Sequence, residues 1–181
     1  MFALTGTPGT GKSTISKILR KRGISVLDLN RWIRKNYPHK ENEKCIEVDL
    51  KKLNRIASCH SAFSTLHAPL IIEGHLSHHL KLVDKIIVLR CAPTELLKRL
   101  KKKKYSQKKI KDNLLVEALD IILHESLVTG KTVFEIDTTK KSVSKVAEEI
   151  KKIVTGKKKV NKVYGQNNYL LELDRLFKCK L

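Results

Sequence analysis

Short apolar runs alternate with stretches of helical period along most of the chain. Phe2, Ala3 and Leu4 open it as a strand, and a glycine-rich turn follows. Ile15, Ile18 and Leu19 then share one helical face, with Lys17, Arg20, Lys21 and Arg22 outside and Gly23 placed to end the helix. Residues 24–29 read as a second strand, leading into a short helix over 30–35 that closes before Pro38. The sequence from Tyr37 to Lys44 is polar and irregular. Val48 to Leu53 opens a helical region running towards Phe63, which we read as an excursion from the sheet. Leu70, Ile71 and Ile72 form a buried strand ending in Glu73-Gly74-His75, with His78 and His79 expected on a helix surface beyond it. Residues 85–90 are a fourth strand, and Pro93 starts a helix over 94–100. One long amphipathic helix is predicted over 107–128, with Ile110, Leu114, Ala118, Ile121 and Leu127 inward and Gly130 as its stop. Residues 132–136 are a fifth strand, Asp137-Thr138-Thr139 its exit loop, and 143–154 a final core helix. Strands alternating with helices predict an α/β fold with a parallel sheet covered on both faces.

Within this pattern the first turn carries chemistry. Gly6-Thr7-Pro8-Gly9-Thr10-Gly11-Lys12-Ser13-Thr14 matches G-x-x-x-x-G-K-S between a strand and a helix, the setting of a phosphate-binding loop. Its glycines let successive N–H groups turn onto a phosphate chain at the positive end of the next helix. Lys12 is then placed for the β- and γ-phosphates of a nucleoside triphosphate, and Ser13 for Mg²⁺. Ligands of open parallel sheets lie outside the carboxyl ends of the strands, which makes Glu73 and His75 candidates as well, Glu73 as a second Mg²⁺ group. Trp32 is expected to pack the excursion rather than to stack on a base.

Charge adds a second theme. With 38 Lys+Arg against 18 Asp+Glu, the 181 residues carry a formal +20. Seven lysines fall between Lys101 and Lys111 and six between Lys151 and Lys162; without these 13 the total drops to +7. Basicity so concentrated points to phosphate-rich partners, read through the backbone, since no RNA-recognition motif is present. Residues 156–181 read as a basic linker and a helical extension appended to a complete domain, 1–155. Cys45, Cys59, Cys91 and Cys179 form no C-x-x-C pair, which argues against a zinc ribbon or a disulfide framework. No apolar run approaches membrane-spanning length, and a soluble cytoplasmic protein is expected.

Taken in order, the phosphate loop, the strand-end Glu73-Gly74-His75, the run from Val88-Leu89-Arg90 to Arg99-Leu100 and Tyr105, and the Asp-Thr-Thr exit loop resemble one family. It is the adenylate kinase-like NTPases of small-ribosomal-subunit maturation, known in eukaryotes as the nuclear, coilin-interacting adenylate kinase. The resemblance covers Met1 to about Val154. It implies a nucleoside-monophosphate kinase core of five parallel strands, a monophosphate-binding flap at about 30–65 and a short lid at about 101–107. It further implies residues 6–14, Arg99 and Asp137 around ATP, Arg34 on the AMP phosphate, and Glu73 with His75 in place of an Asp-x-His motif tied to Mg²⁺ water and ATP hydrolysis. A ribosomal protein and rRNA are the implied partners. Two positions depart from the family. Lys103 stands where the lid has an arginine, giving charge without a planar fork, and Leu115 stands where eukaryotic members have a glutamine read as contacting adenine. Three activities fit: an adenylate kinase with ATPase activity in ribosome assembly, a metabolic nucleotide kinase, and a nucleotide-switched binding module.

Overall fold

The computed structural model describes residues 1–38, 46–60, 63, 69–157, 165 and 169–178. Strands β1 (Phe2–Thr5), β2 (Ser25–Asp28), β3 (Leu70–Glu73), β4 (Lys85–Arg90) and β5 (Thr132–Asp137) form one sheet in the order β2-β3-β1-β4-β5. All neighbours are parallel, and β1 lies central, with Phe2 opposite Ile71 on one side and Lys85 on the other. Alternation along the strands sorts the side chains onto two faces. Ala3, Ile72, Ile86 and Val88 pack against α2 (Leu29–Asn36), α3 (Leu50–Cys59) and α6 (Ile121–Val128). Leu4, Ile71, Ile87 and Leu89 pack against α1 (Lys12–Lys21) and α7 (Val143–Val154). Both faces are covered, as the apolar runs require.

A third cluster joins α4 (Pro93–Lys102), α5 (Gln107–Ala118) and α8 (Leu170–Lys178). The helical extension thus packs on the domain it follows. Tyr169 and Leu173 are buried, and the Tyr169 ring lies 5.1 Å from the Arg90 guanidinium carbon. Glu172 accepts the Thr94 N–H at 2.9 Å, supplying the N-terminal turn of α4 with an acceptor.

Two expectations are corrected. The second strand ends at Asp28, because its carboxylate caps α2 by accepting the Arg31 N–H at 3.0 Å. The long helix over 107–128 is two helices, broken where Asp120 adopts φ 56°. An aspartate tolerates that left-handed conformation, and here its carboxylate is bound by Arg90. The break shifts the phase, so Ile121 and Leu127, expected inward, are exposed. Trp32 packs edge-on against His60 and Phe63. Parts of the expected flap (39–45, 61–62, 64–65), together with Cys45, Cys179 and Lys158, Lys159 and Lys162 of the basic linker, lie outside the described residues. Among the described residues, no helix is long and apolar enough to cross a membrane.

Candidate functional site

A loop between the end of β1 and α1 must reverse direction within few residues, and three glycines with positive φ make that possible: Gly6 at 136°, Gly9 at 102° and Gly11 at 104°. At Gly6 the need is also steric, since a Cβ there would lie 2.4 Å from the Leu89 carbonyl oxygen of β4. The turn is closed by the Thr10 N–H and hydroxyl, which donate to the Thr7 carbonyl at 3.2 and 2.9 Å. Lys12 curls back over the loop and donates to the Gly6 and Thr7 carbonyls at 2.5 and 3.0 Å. Burial lowers its pKa to about 8, against the opposing pull of Glu73 and Glu117.

The adjacent strand end adds an oxygen pair. Glu73 is buried, and its Oε1 accepts from Ser13 Oγ at 3.3 Å. Burial raises its pKa, the neighbouring Asp28 adds to the rise, and Lys12 and Ser13 oppose it. A carboxylate kept from water beside a hydroxyl is a hard oxygen donor set of the kind Mg²⁺ takes. His75 lies at the cavity wall, where partial desolvation and then the Lys12 and His79 charges lower its imidazole pKa.

These groups face one cavity of about 930 Å³. Pro8 to Ile15 line it, with Asn30, Ile33 and Arg34 of α2, Ile46 and Val48, and Arg99, Lys102, Lys103, Tyr105 and Lys109. Arg99 is fixed by Glu95 at 2.9 Å and by the Thr138 hydroxyl and carbonyl at 3.2 and 3.0 Å. Lys103 lies 6.0 Å from the Tyr105 ring centroid and Lys109 lies 4.4 Å from it. Glu73 is the sole carboxylate among the described lining residues, against Lys12, Arg34, Arg99, Lys102, Lys103, Lys109 and Lys141. A space so charged is suited to a polyphosphate.

Of the residues singled out in the sequence, Pro8, Gly9, Thr10, Gly11, Lys12, Ser13, Thr14, Arg34, Glu73, His75, Arg99 and Lys103 all border this cavity. Gly6 and Thr7 form the base of the loop without lining it. Asp137 does not border the cavity: it accepts the Thr139 N–H at 2.8 Å and hydroxyl at 2.5 Å, and its neighbour Thr138 lines the cavity. Leu115 packs in the third cluster rather than at the cavity. His78 is a correction, since it is 1% exposed rather than on a helix surface.

The sequence reading passed over the support beneath the loop. Arg90, 2% exposed at the end of β4, donates to Glu117 Oε1 at 2.8 Å, the Glu117 carbonyl at 3.0 Å and Glu135 Oε1 at 3.1 Å. Glu117 in turn accepts from the Thr7 hydroxyl and from the Cys91 N–H at 2.9 Å. One buried carboxylate therefore ties the phosphate loop to β4 and α5. The signal was present in an acid one residue from Ala118 on the apolar face of a helix, and in an arginine closing an apolar strand.

A family model described as AAA domain matches residues 3–120. A protein of Archaeoglobus fulgidus is 39% identical over 96% of this chain and 94% of its own, and one of Methanocaldococcus jannaschii is 40% identical over 87% of each; both bear the name "Putative adenylate kinase". Among solved structures, shikimate kinase from Acinetobacter baumannii in complex with shikimate gives a TM-score of 0.57 at 18% identity, over 87% of this chain and 93% of that one. TT1252 from Thermus thermophilus gives 0.53 at 18%, over 88% and 97%. At that identity the likeness speaks to the fold alone, an α/β P-loop kinase fold.

Proposed function

We propose, for a chain that belongs to the adenylate kinase-like branch of the AAA-domain NTPases, that it transfers the γ-phosphoryl of ATP to AMP, hydrolyses ATP when water takes the acceptor's place, and serves small-ribosomal-subunit maturation. The observation that supports the catalytic reading is one cavity lined both by the phosphate loop and by Arg34. A donor nucleotide on the loop and a monophosphate held by Arg34 can then meet without crossing solvent.

Phosphoryl transfer asks a protein for alignment and for charge around the equatorial oxygens rather than for covalent help. The loop N–H groups and Lys12 hold the β- and γ-phosphates, and Lys12 must first leave the Gly6 and Thr7 carbonyls. Arg99, already braced by Glu95 and Thr138, needs little reorganisation to face the transferring group. Lys103 adds a point charge from the lid. Ser13 and Glu73 are the residues that would hold Mg²⁺, which neutralises phosphate charge when bound. A largely neutral His75 can accept a hydrogen bond from a water at the strand end and orient it. The ribosomal part of the reading is supported by the family resemblance and by the lysines concentrated at 101–111 and 151–162.

ATP consumption is to be measured with and without AMP, followed by a screen of other acceptors. AMP-dependent formation of ADP supports the kinase; consumption indifferent to every acceptor replaces it with a nucleotide-switched module. Replacing Lys157, Lys158, Lys159 and Lys162 with glutamine is expected to leave ATP turnover intact. The same variant should weaken RNA binding and lower the slope of log affinity against log salt by about one unit per lost contact. Unchanged affinity and slope would remove this basic segment from RNA binding.

A further inference from the structure

Outside the nucleotide cavity, three metal-ligating groups converge from two elements. His78 and His79 sit on a short 3-10 turn, Ser77–His79, and Glu125 reaches them from α6. Glu125 Oε2 lies 3.1 Å from His78 Nε2 and 3.8 Å from His79 Nε2, and all three ligand atoms fall within 4.8 Å of one another. Two ligands on one tetrahedral ion at metal distances of about 2.0–2.1 Å stand about 3.3 Å apart. The two measured separations bracket that edge.

Hydrogen-bond accounting points the same way. His78 Nδ1 is 3.0 Å from Thr5 Oγ1, and that hydroxyl is also 3.3 Å from the His75 carbonyl oxygen. A hydroxyl has one proton to give. Given to the carbonyl, it leaves the Thr5 oxygen as acceptor for His78 Nδ1–H, and the His78 Nε2 lone pair then faces a carboxylate oxygen. In that tautomer two acceptors face each other and a cation can sit between them; in the other, Thr5 donates to His78 Nδ1 and His78 Nε2–H donates to Glu125. An outer hydrogen bond from the second ring nitrogen is also what fixes the tautomer and aim of ligating histidines.

We propose that His78, His79 and Glu125 form a site for one divalent ion of zinc type, with a fourth position left to water. Two imidazoles and a carboxylate suit such an ion better than Mg²⁺ or Ca²⁺, which prefer all-oxygen sets. Bound there, the ion clamps the turn after β3 to α6 beneath Thr5, the residue preceding the phosphate loop. Neither His78, His79 nor Glu125 lines the nucleotide cavity, so the proposal is independent of the nucleotide reading.

The full chain, stripped with chelator, is titrated with Zn²⁺ against a chromophoric competitor, and with Co²⁺ while its visible absorption is recorded. The expected result is one tight ion per chain with the absorption of a four-coordinate nitrogen and oxygen site. His79→Ala and Glu125→Gln should each weaken binding at least tenfold and abolish that absorption. Both side chains are partly exposed, so the variants are expected to fold, which circular dichroism checks; the buried His78 is left in place. No zinc uptake at equimolar concentration would overturn the site, and Thr5 would then donate to His78 and His78 to Glu125. Zinc uptake unchanged in both variants would equally overturn it, by placing the ion on other histidines or cysteines.

Discussion

Replacing Arg90 with methionine should cost this protein a large share of its stability. The guanidinium is 2% exposed and serves two buried acids at once, Glu117 at 2.8 Å and Glu135 at 3.1 Å, besides the Glu117 carbonyl and Asp120. Methionine fills much of the volume, so the cavity contribution is small. What remains is Glu117, 2% exposed, without its cation, beside a Glu135 whose side chain is 5% exposed and which has lost one of its partners. Removing one partner of a buried ion pair costs about 3–5 kcal/mol, a fifth or more of the stability of a typical domain of about 5–15 kcal/mol. For a chain of this length that corresponds to a fall in Tm of about 6–20 °C. Urea unfolding followed by circular dichroism reads the loss directly. Adding Glu117→Gln in the Arg90→Met background removes one uncompensated charge while keeping an acceptor for the Thr7 hydroxyl and the Cys91 N–H, and should restore about 1 kcal/mol or more. A loss under about 1 kcal/mol for Arg90→Met, or no recovery in the double variant, would refute the reasoning that buried charge imbalance governs this position.

Lys103→Arg should raise kinase turnover, because a planar fork stabilises a transferring phosphoryl group better than a point charge; an unchanged or lower kcat would take Lys103 out of the transfer step. Iodoacetamide should label the exposed Cys59 and spare Cys91, which is fully buried with its thiol pushed up to about 12 by burial; labelling of the Cys91 peptide in the native protein, read by mass spectrometry, would contradict its place behind α4. Leu173→Ala should destabilise by about 2 kcal/mol or more if α8 is part of the core; a denaturant midpoint unmoved from wild type would return α8 to the status of an appendage.

The sheet was legible because parallel strands buried on both faces leave uninterrupted apolar runs, and the phosphate loop because its glycines, lysine and serine must stand at fixed offsets. One feature escaped for a physical reason. Asp120 breaks a helix whose apolar spacing runs straight through it; the cause is a tertiary bond to Arg90, thirty residues earlier in the chain, which periodicity cannot register. The tail after Gly156 reads as a basic linker and a helical extension beyond the domain, and Tyr169 and Leu173 pack that extension into the third cluster. Asp137 is ambiguous for a related reason: an acid at a strand end is equally suited to a ligand or to its own loop, and the Thr139 N–H and hydroxyl both donate to it.

The central claim is that one cavity holds both the donor triphosphate and the acceptor monophosphate. Its most direct test follows the terminal phosphate of γ-labelled ATP in the presence of Mg²⁺ and AMP. The account predicts label in ADP when AMP is present and in inorganic phosphate when it is absent, with both lost in Lys12→Ala. Label released only as inorganic phosphate whether or not AMP is present would contradict it.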